Sequence, residues 1–324
     1  MFCKTIMSLA GAAVLALGAL TGSASAQDFP SRPIHVVIGF PAGSGADILG
    51  RFFTNELQKA SGQAVVVDNK PGANSNIAIG LVKNAKPDGY TVLFVANSNM
   101  AFNKFLFKSL PFDTIKDFAP VHALAQLGFV VVVGPKAPYK TMAELTAYLK
   151  GRAQNKYGTT NQTAILSSES YRQLTGFQAV NVPYRTAPDS VPDIENGTLD
   201  FMIMDGTFAA GVIRQGKVRA LAVTSKWRIA TLPDVPTMEE AGFKGFEFAP
   251  WWGSYVPKGT PQPVIDKLAG YFAKITALPE AKVAMEKIAA FPLVNDGKWV
   301  ADRLVADQAW IEPVIKAAKI EPQD

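Results

Sequence analysis

The sequence predicts an α/β protein built as two lobes. Its 324 residues are about twice what one domain needs, at roughly 100–200 residues per domain. Short β-branched runs alternate with segments of helical period along most of the chain, the pattern of strands and helices laid down in turn. No repeat and no long flexible linker interrupts that alternation. With 48% hydrophobic and 18% charged residues, the composition is that of a packed globular chain and argues against disorder.

Ile34–Ile38 reads as a buried strand, followed by the turn Gly39-Phe-Pro-Ala-Gly-Ser-Gly45. Ile48, Leu49, Phe52, Phe53 and Leu57 then share one helical face. Ala64–Val67 is the next strand, Asn69-Lys-Pro-Gly72 a turn, and Ile77–Asn84 a helix. Pro87-Asp-Gly89 leads into the strand Tyr90–Val95. In the second half, Phe129–Val133 is a buried strand, and Thr141-x-x-Glu144 is a capping box opening a helix through Leu149. A short strand ends at Tyr157-Gly158, and a polar loop and a helix toward Leu174 follow. Phe201–Met204 is a strand, Thr207–Arg214 a helix closed by Gly216, and Arg219–Val223 a strand. Thr237-x-x-Glu240 caps a brief helix stopping at Gly242. Trp251–Val256 reads as extended, Pro261 and Pro263 open a helix to Ile275, and two more helical stretches finish the chain. One sheet accounts for residues 27–127 and a second for 128–249. Residues 250–324 return to the first lobe, because a mostly helical tail lacks the strands for a third core.

Residues 1–26 read as a cleavable export signal. Lys4 precedes an apolar stretch, Ile6–Leu20, and small residues at Ala24 and Ala26 match the A-x-A pattern of signal peptidase. The stretch is shorter than the roughly 20 residues of a bilayer span, and Gln27 stands where a lipoprotein needs cysteine. Cleavage leaves 298 residues with no cysteine and a net charge of +4, suited to an oxidising compartment such as the periplasm. That charge is diffuse, with no Lys/Arg run or stripe, so nucleic acid is not an expected partner.

Catalytic constellations are scarce. His35 and His122 are the chain's only histidines, and HExxH, Walker and G-x-S-x-G patterns are absent. Gly43-Ser-Gly45 resembles the start of a dinucleotide fingerprint, but its third glycine should fall at Ile48 and Gly50 is out of register. No enzyme and no cofactor is expected. Loops suited to an anion are more prominent. Phe40, Ala42, Gly43, Ser44, Gly45 and Asp47 connect a strand to a helix N-terminus, where unpaired N–H groups and the helix dipole favour a carboxylate. Ser44 and Asp47 also have capping-box spacing, and both roles can coexist. Asn97 and Ser98 follow the strand ending at Val95, at a carboxyl end where open α/β sheets bind ligands. Thr159, Thr160, Asn161, Gln162 and Thr163 lie between a strand and a helix in the second lobe, and Asp205 also follows a strand. Trp251 and Trp252 read as interlobe packing, with stacking on a planar ligand as the alternative.

Several stretches in fixed order resemble one family. They are Asp68-Asn-Lys-Pro-Gly-Ala73, Lys86-Pro-Asp-Gly-Tyr-Thr91, Leu110-Pro-Phe-Asp-x-x-Lys-Asp-Phe-x-Pro120, Val182-Pro-Tyr-Arg185, Gly216–Ser225, Leu232–Gly242, Trp252-Gly253 and Pro257-x-Gly-Thr-Pro261. The mature chain is similar throughout to the solute-binding proteins of tripartite tricarboxylate transporters, the Bordetella uptake gene family. The resemblance implies a type II periplasmic-binding-protein fold, with the ligand cleft between its two lobes. It also implies a monomer that delivers a small carboxylate (a di- or tricarboxylate, an acidic amino acid or an aromatic acid) to membrane permease subunits, without covalent chemistry. The same fold presenting ligand to a membrane sensor is the alternative. In the family the loops matching Phe40–Asp47 and Thr159–Thr163 grip carboxylates through main chain and water, and Asp47 matches the family's Asp. The basic position is kept by Arg51. The second loop departs, since Thr159-Thr-Asn-Gln-Thr163 lacks the usual Ser-x-Gly-x-Gly and the His-Leu that follows, and Thr186 stands where glycine is common. Closure is expected about crossings near Gln126–Phe129 and Phe248–Trp252.

Overall fold

The computed structural model describes residues 29–318 and 320–323, so the export segment lies outside the described residues. In chain order the first half runs β1 (Ile34–Ile38), α1 (Gly45–Ser61), β2 (Val65–Asn69), α2 (Asn76–Lys83) and β3 (Thr91–Ala96). A wide helical turn, Ser98–Phe102, continues into α3 (Asn103–Leu106), then β4 (Phe118–Leu127). Next come β5 (Phe129–Val133), α4 (Met142–Lys150), β6 (Lys156–Thr159), α5 (Gln162–Thr175), β7 (Val180–Pro183), α6 (Ala187–Glu195), β8 (Phe201–Asp205), α7 (Gly206–Arg214) and β9 (Arg219–Val223). The chain ends with β10 (Trp251–Pro257), α8 (Gln262–Thr276), α9 (Pro279–Lys287), β11 (Ala290–Pro292) and α10 (Gly297–Ala317). No helix among the described residues is long and apolar enough to cross a membrane.

The strands form two sheets, ordered β11-β4-β10-β3-β1-β2 and β7-β6-β8-β5-β9. In the first, β1 lies between parallel neighbours β2 and β3. α1 covers one face, with Leu49, Phe53 and Leu57 packed near Ile34, Val36 and Ile38. α2 covers the other, placing Ala78, Ile79 and Val82 with Val37, Leu93 and Val95. The second sheet repeats the device. β6 pairs in parallel with β7 and β8; Leu166 and Tyr171 of α5 share a core with Tyr157 and Phe201, and Val191 and Ile194 of α6 share another with Met202 and Met204. Crossover helices on opposite faces of each sheet, α1 and α2 in the first and α5 and α6 in the second, open a crevice at the strands' carboxyl ends, the place where open α/β sheets take ligands.

The chain crosses between the sheets at Gly128, where β4 becomes β5, and returns through 248–251. Leu127 N–H donates to the Pro250 carbonyl at 2.8 Å. A third strap, unforeseen from sequence, runs through Ile288-Ala289. Gly128 N–H donates to Ala289 O (2.9 Å), Gly206 N–H to Gly128 O (2.9 Å) and the Thr207 hydroxyl to Ile288 O (2.8 Å). A Cβ on Gly206 would lie 2.6 Å from the Ala289 Cβ and 2.8 Å from the Gly128 carbonyl oxygen, so only glycine allows this approach. The return strand β10 is inserted antiparallel between β3 and β4. Asp307 on α10 holds it there, accepting from the Trp251 indole N–H (2.8 Å), the Asn97 amide (2.6 Å) and Arg303 Nε (2.8 Å). α10 also reaches the second sheet's helices, where Gln173 donates to Val314 O at 3.1 Å.

Several elements differ from expectation. Asn97–Asn99 is helical rather than a loop, since the wide turn begins as soon as β3 ends. Thr237-x-x-Glu240 makes both reciprocal hydrogen bonds of a capping box (2.8 and 3.0 Å) but closes a turn, because Gly242 and Gly245, both at positive φ, end it. β4 was hidden by Pro120 and by burial of nearly its whole length, which erases the alternation of a one-sided strand. α6 carries Pro188 in its first turn and Pro192 inside, and is capped by Thr186.

Replacing Asp307 by Ala leaves buried donors from Asn97 and Trp251 and the partly buried Arg303 guanidinium without their acceptor. Asp307→Ala is expected to lower unfolding stability by about 3–5 kcal/mol, read as a lower urea midpoint at unchanged slope.

Candidate functional site

The first half of the site grows from the end of β1. Ser44 caps α1, its hydroxyl accepting from Asp47 N–H at 3.3 Å. Asp47 does more than complete a capping box. Its carboxylate, 2% exposed as a residue, reaches back past the cap to accept from Gly43 N–H (2.8 Å), and takes Arg51 Nε (2.8 Å) and the Asn69 amide (3.0 Å) as well. The same Asn69 amide donates to the Phe40 carbonyl at 3.0 Å. Asp47 and Asn69 therefore hold the whole loop Phe40–Ser44 in shape, and Gly43 adopts the left-handed φ of +79° that this path requires. Burial pushes the Asp47 carboxyl up, but hydrogen bonds from Arg51, Gly43 and Asn69 outweigh it and hold the pKa below the ordinary 3.8. Gly45 and Ala46, in the first turn of α1, have N–H groups with no acceptor among the described residues. Nothing lies within 4 Å of where Cβ atoms on Gly43 and Gly45 would stand, so that backbone is open to a ligand.

Beside this loop sits a strained turn that no sequence motif announces. Ala73, Asn74 and Ser75 all take left-handed φ values, 43°, 50° and 68°, a run that costs non-glycine residues about 1–2 kcal/mol each. The turn is held from several sides. The Ser75 hydroxyl donates to Gly39 O (3.1 Å), and a Cβ on Gly39 would collide with Ser75 at 2.4 Å. Asn99 and Asn103 both donate to the Asn74 carbonyl, at 3.0 and 2.9 Å. The available signal was the Asn-Ser-Asn run after Gly72, which tolerates left-handed backbone better than most.

In the second lobe, Asn161 caps α5 by accepting Ala164 N–H at 2.9 Å. The N–H groups of Gln162 and Thr163 have no acceptor among the described residues. Thr159 turns its hydroxyl to Asn181 (2.7 Å), while Thr160 accepts a long bond from Asn161 (3.4 Å). The two crevices meet through one bond, from the Asn74 amide to the Gln162 side-chain oxygen at 2.7 Å. Phe40 packs on Trp252 with ring centroids 5.1 Å apart. Trp251 is fully buried against Trp299 (5.3 Å), so its role is packing.

The remaining expected residues lie apart. Asn97 spends its oxygen on Trp251 N–H (3.1 Å) and its amide on Asp307, inside the first lobe; Ser98 is buried at the start of the wide turn. Asp205 caps α7 by accepting Phe208 N–H at 2.9 Å, beside the Gly128 crossing, and burial raises its pKa.

Because Asp47 has a depressed pKa, its contribution to stability is present above about pH 3.8 and fades as pH falls through the folded value. Asp47→Asn is expected to lower stability at pH 7 by about 1–3 kcal/mol, having lost a charged acceptor for three donors. Urea titrations between pH 2 and 7 should show a shallower acid decline for the variant.

Residues 49–319 match the model of the tripartite tricarboxylate transporter family receptor. A UPF0065 protein of Bordetella bronchiseptica is 37% identical over 260 residues, 79% of this chain and 77% of its own length. Among solved structures, an R. palustris protein with adipate is 29% identical with a TM-score of 0.79, covering 91% of this chain and 100% of that one. MatC of Rhodopseudomonas palustris with bound malate is 26% identical with a TM-score of 0.73, covering 89% and 100%. The chain thus belongs to the tripartite tricarboxylate transporter receptor family, which consists of two-lobe solute-binding receptors and not enzymes.

Proposed function

We propose that the protein is an extracytoplasmic receptor that captures a small carboxylate between its lobes and hands it to the permease of a tripartite tricarboxylate-type transporter. The observation that carries this reading is the pairing of two helix starts at facing crevices. α1 offers Gly45 and Ala46 N–H groups, and α5 offers those of Gln162 and Thr163, with the crevices joined by the Asn74–Gln162 bond. Backbone donors at a helix N-terminus suit a carboxylate, and two such sets suit a molecule with a carboxylate at each end. The similar proteins solved with adipate and malate hold diacids of that kind. In this reading the Gly45 and Ala46 N–H groups take one carboxylate, with Phe40 beside it, and those of Gln162 and Thr163 take the other. Asp47 shapes the first loop rather than touching the ligand. The receptor works as a monomer in the periplasm once residues 1–26 are removed, and the third strap at Ile288-Ala289 guides closure.

Purified residues 27–324 should be stabilised by one or more C4–C6 diacids in a thermal-shift and calorimetry screen that includes tricarboxylates, acidic amino acids and aromatic acids. A ligand at 100 times its Kd adds about 2.7 kcal/mol. A well-folded protein stabilised by no carboxylate would overturn the reading. Deletion of the gene should abolish uptake of the best ligand.

A further inference from the structure

The Asn74–Gln162 bond across the cleft carries a direction. Asn103, fully buried, donates its amide N–H groups to the Asn74 carbonyl (2.9 Å) and to the Asn76 side-chain oxygen (2.7 Å). A peptide carbonyl only accepts, so the nitrogen of Asn103 must face it and its oxygen must face the other way. That oxygen meets the Asn74 amide nitrogen at 2.5 Å. The second N–H of the same nitrogen goes to Gln162 Oε1 at 2.7 Å. Both protons of Asn74 are thereby spent, and the Gln162 amide is fixed with oxygen toward the first lobe. Its Nε2 group is left with no acceptor among the described residues, at the opening turn of α5 beside the unbonded N–H groups of Gln162 and Thr163. The left-handed run Ala73–Ser75 is what aims the Asn74 side chain across the cleft.

We infer that Asn103, Asn74 and Gln162 form a polarity relay across the cleft. It presents the Gln162 NH₂ as a hydrogen-bond donor to the far end of the ligand when the lobes meet. The inference rests on the carboxylate reading above and adds the residue that sets selectivity. Gln162 touches the ligand and Asn74 is its positioning residue. A ligand ending in an acceptor, such as a second carboxylate, is favoured. One ending in a donor, such as an ammonium, meets a donor and is rejected, a discrimination that a freely turning glutamine could not make.

The test measures affinities for succinate, malate and adipate beside 4-aminobutanoate and 6-aminohexanoate, with apo melting curves for every variant. Gln162→Glu keeps the shape but replaces the donor with an anionic acceptor. Diacid affinity is expected to fall roughly 10- to 100-fold, and the preference for diacid over amino acid to shrink or reverse. Asn74→Gly deletes the relay; relief of the left-handed strain offsets the loss of the donor to the buried Asn103 oxygen, the apo melting curve reports that the variant is folded, and it should lose about 3- to 10-fold in diacid affinity. The double variant Asn74→Gly/Gln162→Met should bind no more weakly than Gln162→Met alone, because one residue acts only through the other. If the wild type binds a diacid and both single variants keep its affinity and preference within about twofold, the relay is wrong and the receptor reading stands. If the folded wild type binds no carboxylate, both fall together.

Discussion

The buried carboxylate of Asp307 is the point on which the first lobe depends. β10 arrives from the far side of the second lobe and must slot antiparallel between β3 and β4, two strands laid down more than 120 residues earlier. Backbone pairing alone does not specify which returning segment fills that gap. Asp307 joins the end of β3 through Asn97, the start of β10 through Trp251, and α10 through Arg303. An acceptor buried among three donors is costly to leave half-satisfied, so the arrangement specifies one register. The position of β10 in turn fixes the crossings at Gly128 and at 248–251, because Trp251 directly follows the segment that pairs with Leu127.

From that frame the cleft follows by symmetry of construction. In each sheet the strand next to the edge, β1 or β6, lies between two parallel neighbours reached by crossover helices on opposite faces, and each crevice ends in a helix capped by a side chain, Ser44 or Asn161. The two halves are stiffened differently. The first loop is tied to a buried charge, Asp47, with Arg51 and Asn69 around it. The second has no ionised group in its loop and relies on neutral side chains. The side-chain amide of Gln162 is oriented from the opposite lobe.

The core elements and the first loop were legible in the sequence because local signals and tertiary packing agree there. Ile34–Ile38 is apolar and β-branched apart from His35, and Leu49, Phe53 and Leu57 fall on the face that packs on it. Where they disagree, the reading failed. Pro120 and near-complete burial concealed β4, and two prolines concealed α6. The partners of the Asn97 side chain were equally illegible, because Asp307 lies 210 residues away, a distance no local pattern reports. Asn74 was missed for the same reason. Its conformation is imposed by Gly39, Asn99 and Asn103, and its meaning comes from Gln162 in the other lobe.

Strain at Ala73–Ser75 and the loop Thr159–Thr163 are best understood together. Left-handed backbone at three successive non-glycine residues persists only where neighbours over-determine it, and such sites concentrate where ligands are clamped. Here the restraints are all side-chain hydrogen bonds from within the first lobe, whereas the beneficiary is a residue in the second. A loop built from glycines would offer the ligand main-chain donors with no need of help from across the cleft. Thr159-Thr-Asn-Gln-Thr163 instead places a long amide side chain at the helix start, and a flexible amide discriminates poorly unless something fixes which end faces the ligand. The strained turn supplies that constraint, so the second loop acquires its chemical meaning from a distortion in the first lobe.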